Sequence, residues 1–165
     1  MPVRGHVGSD YERLRPEFRV IQDPYSGTDV MIVPPITPDV SLIHGLAADE
    51  DGNVLTEEKE DDFVLAPASR AVIASAERIV SHDELRRLPY GLLVPGIHVT
   101  AVVHVPGGAH PTPVRDCYRL DEPHLLEYIE AARSDAAFKP YLDRYVLEPP
   151  DHAGYLERVG LRPPA

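Results

Sequence analysis

The stretch from Pro38 to Asn53 (PDVSLIHGLAADEDGN) constrains the fold more than any other part of the chain. It opens with a short apolar run at residues 40–43, which is bounded by proline and aspartate before it and by Gly45 after it. A run of this length with this punctuation predicts a buried strand rather than a helix. The remainder holds small residues, three acids and a Gly-Asn pair, which predict a polar loop. Such a strand end is where α/β folds place ligands, although a core strand with a solvated turn has the same pattern.

Other apolar runs predict further strands. Residues 71–80 (AVIASAERIV) are almost wholly apolar in their first half, which predicts a second central strand covered on both faces. Residues 18–33 predict a strand, a turn and a strand, because Pro24 and Gly27 lie between two apolar runs. Residues 92–94 and 99–105 predict two more strands, and the side chains of the second alternate between two faces.

The last third of the chain predicts helices. Asp121 is placed to cap one helix whose first turn contains Pro123, a second restarts near Pro140, and a third covers residues 151–159 and ends at Gly160. A shorter helix is predicted at residues 63–68, and a charged turn or short helix at residues 82–88. Strands interleaved with helices indicate an α/β fold, with a mixed or mostly parallel sheet flanked by helices. The length of 165 residues fits one domain over residues 1–165.

Composition and charge exclude several classes of partner. The net charge is −11, from 16 basic and 27 acidic residues, so no basic surface is expected to hold a nucleic acid backbone. No apolar run approaches the ~20 residues that a membrane span needs. Cys117 is the single cysteine, so the chain has no internal disulfide and no thiolate metal site, which predicts a reducing, cytoplasmic location. We expect Cys117 to be a packed, unreactive thiol.

Residues 49–62 hold eight of the acids and one lysine. Such a run is usually a solvated face. Calcium binding is an alternative, but the run lacks the alternating acids and the closing glutamate of an EF-hand loop. His98 and His104 fall on one predicted strand face without a third ligand at suitable spacing, so we expect packed or surface histidines there. No metal site is predicted.

Glu77 interrupts the apolar stretch of the second predicted strand near its end. An unpaired buried charge is costly, so this carboxylate is expected either to be exposed at the strand tip or to be paired. The alternative hypothesis is that Glu77 is an active-site acid. Acids in such positions mark functional sites only statistically, so the position alone does not establish that role. Beyond the next strand, Gly107 and Gly108 precede Ala109 and His110. Consecutive glycines let a backbone approach a ligand, although ordinary loops contain them as well.

No motif identifies a reaction by itself. The chain has no defensible Ser-His-Asp order, no P-loop and no dinucleotide fingerprint. Short signatures nevertheless follow one another in a recognisable order along nearly the whole chain. They are Pro2–Asp10 (PVRGHVGSD), Asp23–Gly27 (DPYSG), Pro38-Asp39 leading to His44, Ala48-Asp49 with Gly52-Asn53-Val54, Val72-Ile73 ending at Glu77, Gly108–Pro111 (GAHP), and Tyr155-Leu156 before Gly160. This ordered set resembles the later part of the α subunit of class I CoA-transferases of the glutaconate type.

The resemblance implies a transfer of CoA between two carboxylic acids. In that family a glutamate attacks the acyl-CoA carbonyl and becomes a glutamyl-CoA thioester, which divides one difficult exchange into two easier ones. The glutamate belongs to a partner β subunit, so the resemblance implies a hetero-oligomer and no catalytic residue in this chain. From their family position, Gly108 and His110 are expected to line the substrate pocket. No cofactor is expected, because the CoA thioester is itself a substrate.

The chain departs from the family at its start. The family's α subunit begins with a further segment that contributes to the site, and this sequence lacks it. A truncated chain, a misplaced start codon and a split subunit each account for that, and each predicts exposed strand edges that need a partner or cover. Two alternatives stand beside the transferase hypothesis. One is a related hydrolase subunit that opens a ring in a CoA thioester of steroid breakdown, and the other is a non-catalytic assembly or binding subunit.

Overall fold

A computed structural model describes residues 2–163, whose internal contacts divide the chain into two units, with the boundary between Thr37 and Pro38. The organisation as a single domain over residues 1–165 stays a prediction. No helix within residues 2–163 is long and apolar enough to cross a bilayer.

The first unit contains an antiparallel sheet. Its strands are β1 (Pro2–Val3), β2 (Arg19–Gln22) and β3 (Asp29–Ile32), with β3 in the middle, and a short helix α1 (Tyr11–Leu14) precedes β2. The predicted strand, turn and strand of residues 18–33 is confirmed. Asp23 closes the turn, since its carboxylate accepts hydrogen bonds from the Tyr25 amide and the Ser26 hydroxyl, and Gly27 supplies the positive φ of 68°.

The second unit contains two further sheets. Its strands are β4 (Ser41–Gly45), β5 (Ala47–Ala48), β6 (Val54–Thr56), β7 (Val72–Ala76), β8 (Leu92–Val94) and β9 (Ala101–His104). Strands β4, β7 and β9 form a parallel sheet in the order β4-β7-β9, while β5, β6 and β8 form an antiparallel sheet in that order. The helices are α2 (Asp62–Ala68), α3 (His82–Leu85), α4 (Glu122–Ala131), α5 (Asp135–Leu142) and α6 (His152–Val159), with a 3-10 turn at Gly96–His98 and a π turn at Asp143–Leu147. The predicted α/β class is confirmed, with a parallel sheet and helices, and the antiparallel strands form separate sheets.

The parallel sheet buries one of its faces. Ile43, Val72, Ala74 and Ala76 belong to an apolar core that also includes residues of β5, β6, β8 and α2. The opposite face is open, because Leu42 is 75% exposed and its register partner Ile73 is 40% exposed. The expectation that residues 71–80 form a strand covered on both faces is therefore wrong for residues 38–163. The period-two spacing of the strand, and not its apolar content, determines which side chains are buried.

Strand β4 lies at the edge of the parallel sheet within the described part of the chain. It pairs with β7, and one hydrogen bond lies at each end of this pairing. The Ser41 amide donates to the Ala71 carbonyl at one end, and the Glu77 amide donates to the Gly45 carbonyl at the other. The expectation of exposed strand edges that need a partner or cover stays a prediction.

One predicted loop and one predicted helix differ from the structure in their bounds. The predicted polar turn is present between β5 and β6, where Glu50 and Asp51 are exposed, but the residues between β4 and this turn are buried: Leu46, Ala47, Ala48 and Asp49. The predicted helix start near Pro140 is wrong as well, since α5 begins at Asp135 with Ser134 as its cap and contains Pro140 internally. The predicted cap at Asp121 and the predicted helix end at Gly160 are confirmed, with Gly160 in the left-handed conformation at φ 70°.

Candidate functional site

Glu77 occupies the position directly after β7, at the carboxyl end of the middle strand of the parallel sheet. Its side chain lies inside the protein, with the residue only 2% exposed. A carboxylate at such depth needs strong hydrogen-bond donors on both oxygens to offset the loss of water. Of the expectations for Glu77, exposure at a strand tip is wrong, and the paired carboxylate is what the structure contains.

Three groups from distant parts of the chain bind the Glu77 carboxylate. The Tyr118 hydroxyl donates to Oε1 at 2.6 Å, and His44 Nε2 lies 2.7 Å from the same oxygen. The Gly107 amide donates to Oε2 at 2.7 Å. A carboxylate is an acceptor only, so His44 carries a proton on Nε2, while its Nδ1 lies 2.8 Å from the Ser75 hydroxyl oxygen. We call this set, Glu77, His44, Ser75, Tyr118 and Gly107, the Glu77 network.

Tyr118 links the Glu77 network to the following loop. Its oxygen donates to Glu77 and accepts from the Ala109 amide at 3.0 Å. Burial, followed by the hydrogen bond to Glu77, raises the pKa of Tyr118 well above its ordinary value. The hydroxyl therefore stays protonated and keeps its role as a donor.

The glycine-containing loop after β9 uses its amides internally. The Gly107 amide donates to Glu77 and the Ala109 amide to Tyr118, while the Gly108 amide donates to the Val105 carbonyl and the His110 amide to the Gly107 carbonyl. Four successive donors are thus occupied within the chain. In this arrangement the loop is a rigid support, and it does not present a free pair of amides to an oxyanion.

Gly108 contacts the Glu77 network through its lack of a side chain. A Cβ at this position would lie 2.8 Å from the Val105 carbonyl oxygen and 2.9 Å from His44 Cε1. Glycine is therefore required for the loop to approach the His44 ring this closely. The expected role of Gly108 in binding substrate stays a prediction.

His110 belongs to a different group of side chains. Its side chain is 2% exposed, with Nε2 3.2 Å from the Asp121 carboxylate and Nδ1 2.7 Å from the Tyr155 hydroxyl. The His124 ring packs edge-on against it at 5.1 Å. Burial raises the pKa of Tyr155 to about 12. His110 thus joins the loop to α4 and α6, and its expected role in lining a substrate pocket stays a prediction.

A cleft of about 210 Å³ opens beside His44, and we call it the His44 cleft. Ala109 and Val114 line it, together with the carboxylates of Glu57, Glu60 and Asp62. Burial, followed by the charges of Glu60 and Asp61, raises the pKa of Asp62. These carboxylates make the cleft unfavourable for an anion, so the phosphates of a nucleotide-like ligand are not suited to it.

The acidic run of residues 49–62 is only partly solvated. Asp49 is buried, and its carboxylate accepts from the Asp51 and Asn53 amides, the Asn53 side chain and His82. Burial opposes these hydrogen bonds, which nevertheless lower the pKa of Asp49. Asp49, Asp51 and His82 offer ligand atoms within 4.8 Å of one another, but the Asp49 oxygens already organise the loop. Calcium binding at residues 49–62 stays a hypothesis.

The remaining candidates have structural surroundings. Cys117 is partly buried, and burial followed by the nearby Glu77 charge raises the pKa of its thiol, in agreement with a packed cysteine. His98 lies in the 3-10 turn and not on the strand, so it does not share a strand face with His104. His104 instead donates to the Glu77 carbonyl at 3.2 Å.

Sequence reasoning identified Glu77, His44 and Gly108 separately and did not group them. It missed Tyr118 and Ser75, which complete the Glu77 network. Tyr118 is 41 residues from Glu77 along the chain, so no periodicity relates the two. Ser75 lies beside His44 because β4 and β7 pair in parallel with these two residues in register, and this pairing is seen only in the structure.

Comparison with known proteins finds a matching family model, several relatives and solved structures of the same fold. The family model described as coenzyme A transferase matches residues 8–105. A glutaconate CoA-transferase subunit from Acidaminococcus fermentans is 34% identical over 146 residues, which cover 87% of this chain and 46% of that protein. The crystal structure of glutaconate CoA-transferase from the same organism superposes with a TM-score of 0.83 at 30% identity, over 97% of this chain and 56% of the other.

Two further relatives are named for other substrates, and one of them is named as a hydrolase subunit. A 3-oxoadipate CoA-transferase subunit from Pseudomonas knackmussii is 30% identical over 95% of this chain and 55% of that protein. The IpdA subunit of the cholesterol ring-cleaving hydrolase from Rhodococcus jostii is 31% identical over 88% of this chain and 53% of that protein. The chain therefore spans about half the length of these curated relatives.

Proposed function

Because the chain belongs to the coenzyme A transferase family, we propose that it forms part of the α-type subunit of a CoA-transferase and acts with a β-type partner subunit. The observation that carries this proposal is the match to the glutaconate CoA-transferase subunit over 87% of the chain, in a fold shared at a TM-score of 0.83. The assembled protein would move CoA from an acyl-CoA to a second carboxylic acid.

The proposed reaction proceeds through the partner's glutamate. Its carboxylate attacks the acyl carbonyl carbon, and the CoA thiolate leaves with the electron pair of the broken carbon–sulfur bond. The thiolate then attacks the glutamyl carbonyl carbon of the mixed anhydride, which expels the first carboxylate and leaves a glutamyl-CoA thioester. The second acid reverses both steps and departs as the new acyl-CoA. The CoA thioester is the substrate, and this reaction needs no resident cofactor.

The Glu77 network supports a nucleophile on the partner and not on this chain. Both Glu77 oxygens accept short hydrogen bonds, and the residue is 2% exposed. An attacking carboxylate needs access to the substrate carbonyl, which the burial of Glu77 and its three hydrogen bonds deny it. We assign Glu77 a positioning role: it holds His44 and the loop that carries Gly107 against the end of the parallel sheet.

A product assay tests the proposal. The chain is co-expressed with a β-type subunit, the complex is isolated by size exclusion, and a panel of acyl-CoA donors is supplied with acetate as the acceptor. We expect acetyl-CoA and the free donor acid in equal amounts, with no net release of thiol. Failure to form a complex, or release of free CoA without acetyl-CoA from any donor in the panel, would contradict the proposal.

The ring-opening hydrolase is the second candidate, and the 31% identity to the IpdA subunit favours it. The same complex distinguishes the two reactions, because ring cleavage consumes the substrate without exchanging its CoA. A complex that forms but has neither activity would instead support a non-catalytic assembly subunit. We also infer a cytoplasmic location for the hetero-oligomer, on the grounds of the single cysteine.

A further inference from the structure

A second cavity, of about 320 Å³, shares only Leu46 with the His44 cleft, and we call it the Arg78 pocket. Its apolar surface comes from Leu46 and Leu88, with the ring of Tyr90 and the thiol of Cys117 beside them. Its charged groups are two arginines and one aspartate: Arg78, Arg115 and Asp116. The pocket therefore combines an apolar wall with a small number of charges, as small-molecule sites do.

Arg78 is half-buried and has no carboxylate partner. Within residues 2–163, no carboxylate oxygen lies within 4.0 Å of its guanidinium and no hydrogen bond from it is formed. Every other described lysine or arginine is either exposed or, like Arg115, paired with a carboxylate. A guanidinium partly removed from water gains from a carboxylate that accepts two of its hydrogen bonds.

Arg115, which lines the same pocket, is paired with carboxylates of the protein. Its guanidinium lies 3.2 Å from Glu57 and 3.9 Å from Glu58, and it stacks over the Tyr90 ring at 4.7 Å. The charge of Arg115 is thus used within the protein. Among the residues that the structure places around this pocket, Arg78 holds the charge that remains for a ligand.

The Arg78 guanidinium is close to the walls of the pocket. The hydrogen bond to Asp116 raises the pKa of Tyr90, and burial raises the pKa of Cys117, while the positive charge of Arg78 opposes both rises. The carboxylate of Asp116 accepts a hydrogen bond from the Tyr90 hydroxyl and does not pair with Arg78. Tyr90, Asp116 and Cys117 thus line the same pocket as Arg78.

Size and charge select the kind of ligand. A volume of 320 Å³ lies near the lower end of the roughly 300–1,000 Å³ range of small-molecule sites. The positive charge of Arg78 balances a single negative charge, and a polyphosphate would be repelled by Asp116 and by the nearby Glu57 and Glu58. The apolar wall adds a surface for a short alkyl chain.

We propose that the Arg78 pocket binds a small aliphatic monocarboxylate, whose carboxylate pairs with Arg78 and whose alkyl chain packs against Leu46 and Leu88. The proposal concerns binding alone and holds whichever reaction the assembled protein catalyses. Its success or failure is therefore independent of the product assay described above.

The lone cysteine gives a direct readout. Cys117 is partly buried and lines the pocket, so a bound acid will slow its alkylation by iodoacetamide, which is run at alkaline pH because burial raises the pKa of the thiol. Intact-mass spectrometry follows the reaction at this single cysteine. The probe is butyrate, and the controls are butyramide, which has the same shape without the charge, and inorganic phosphate. We expect butyrate to protect Cys117 and both controls to leave its alkylation rate unchanged.

Variants then test the role of Arg78. Because charged hydrogen bonds contribute about 1.5–3 kcal/mol, Arg78→Met is expected to weaken butyrate binding at least about tenfold. A butyrate concentration that protects the wild type about tenfold will then protect the variant less than about twofold. Arg86→Met, which removes an equal charge from an exposed position outside the pocket, will keep full protection. Arg78→Lys will fall between these, since it keeps the charge and loses the planar fork.

Three results would overturn the proposal. Equal protection by butyrate and butyramide would mean that the charge of the ligand is irrelevant. Protection of Arg78→Met at the wild-type level would remove Arg78 from the site. Protection by phosphate with none by butyrate would show a different class of anion. The comparison of butyrate with butyramide uses only the wild-type protein, so the test remains decisive even if Arg78→Met does not fold.

Discussion

Replacement of Glu77 by alanine removes the centre of the Glu77 network. In the native chain the carboxylate accepts from Tyr118 at 2.6 Å, from His44 at 2.7 Å and from the Gly107 amide at 2.7 Å. All three donors lose their partner together in the variant. The loss is most costly for the Gly107 amide, because this residue is buried and its N–H donates to the Glu77 carboxylate.

The magnitude follows from the number and type of these bonds. Hydrogen bonds to charged groups contribute about 1.5–3 kcal/mol each, but such contributions are not additive within one network. Leaving a buried donor without its partner costs about 1–3 kcal/mol, and with three donors affected we expect Glu77→Ala to lower the free energy of unfolding by about 3–5 kcal/mol. For a chain of this size, each 1 kcal/mol corresponds to roughly 2–4 °C in the melting temperature.

Urea denaturation followed by circular dichroism measures the change, and hydrogen exchange at the Gly107 amide locates it. Glu157→Ala is the matched control, because Glu157 is exposed and its side chain makes no ion pair within residues 2–163. We expect the control to change stability by less than about 0.5 kcal/mol. Equal stability of Glu77→Ala and Glu157→Ala, with unchanged exchange at Gly107, would mean that the hydrogen bonds of Glu77 do not stabilise the chain.

Two further substitutions test the surroundings of the site. Gly108→Ala places a Cβ 2.9 Å from His44 Cε1 and should cost about 1–3 kcal/mol in urea denaturation, so a cost below about 0.5 kcal/mol would show that the loop adapts freely. The hydrogen bond from the His124 amide, opposed by burial and assisted by His110, lowers the pKa of Asp121. The stabilisation from Asp121 is therefore present above its unfolded pKa of about 3.9 and is lost as pH falls through the lower folded value. Asp121→Ala should cost about 1 kcal/mol at pH 7 and progressively less in acid, and an equal cost at both would contradict this assignment.

Local signals in the sequence predicted the elements well. The cap at Asp121 and the stop at Gly160 depend on residues within one helical turn, so the sequence contains all the information that they need. The turn between β2 and β3 depends in the same way on Asp23 and Gly27. The position of Glu77 at the end of a central strand was also evident from the apolar run before it.

Long-range packing accounts for what the sequence did not predict. The residues after β4 are small and acidic, which is typical of a loop, yet Asp49 is buried because Asn53 and His82 satisfy its carboxylate. Pro140 suggests a helix start, yet α5 continues through it, since tertiary packing overrides local preference. The pairing of Glu77 with Tyr118 joins residues 41 positions apart, and no spacing rule relates them.

In the reaction that we propose, the group that takes up CoA lies on the partner subunit. Intact-mass spectrometry of both subunits, after incubation of the complex with acyl-CoA and no acceptor acid, locates that group. We expect the partner to gain the mass of CoA less one water, while this chain keeps its mass. A CoA adduct on this chain, at Glu77 or at any other carboxylate, would place the nucleophile here instead.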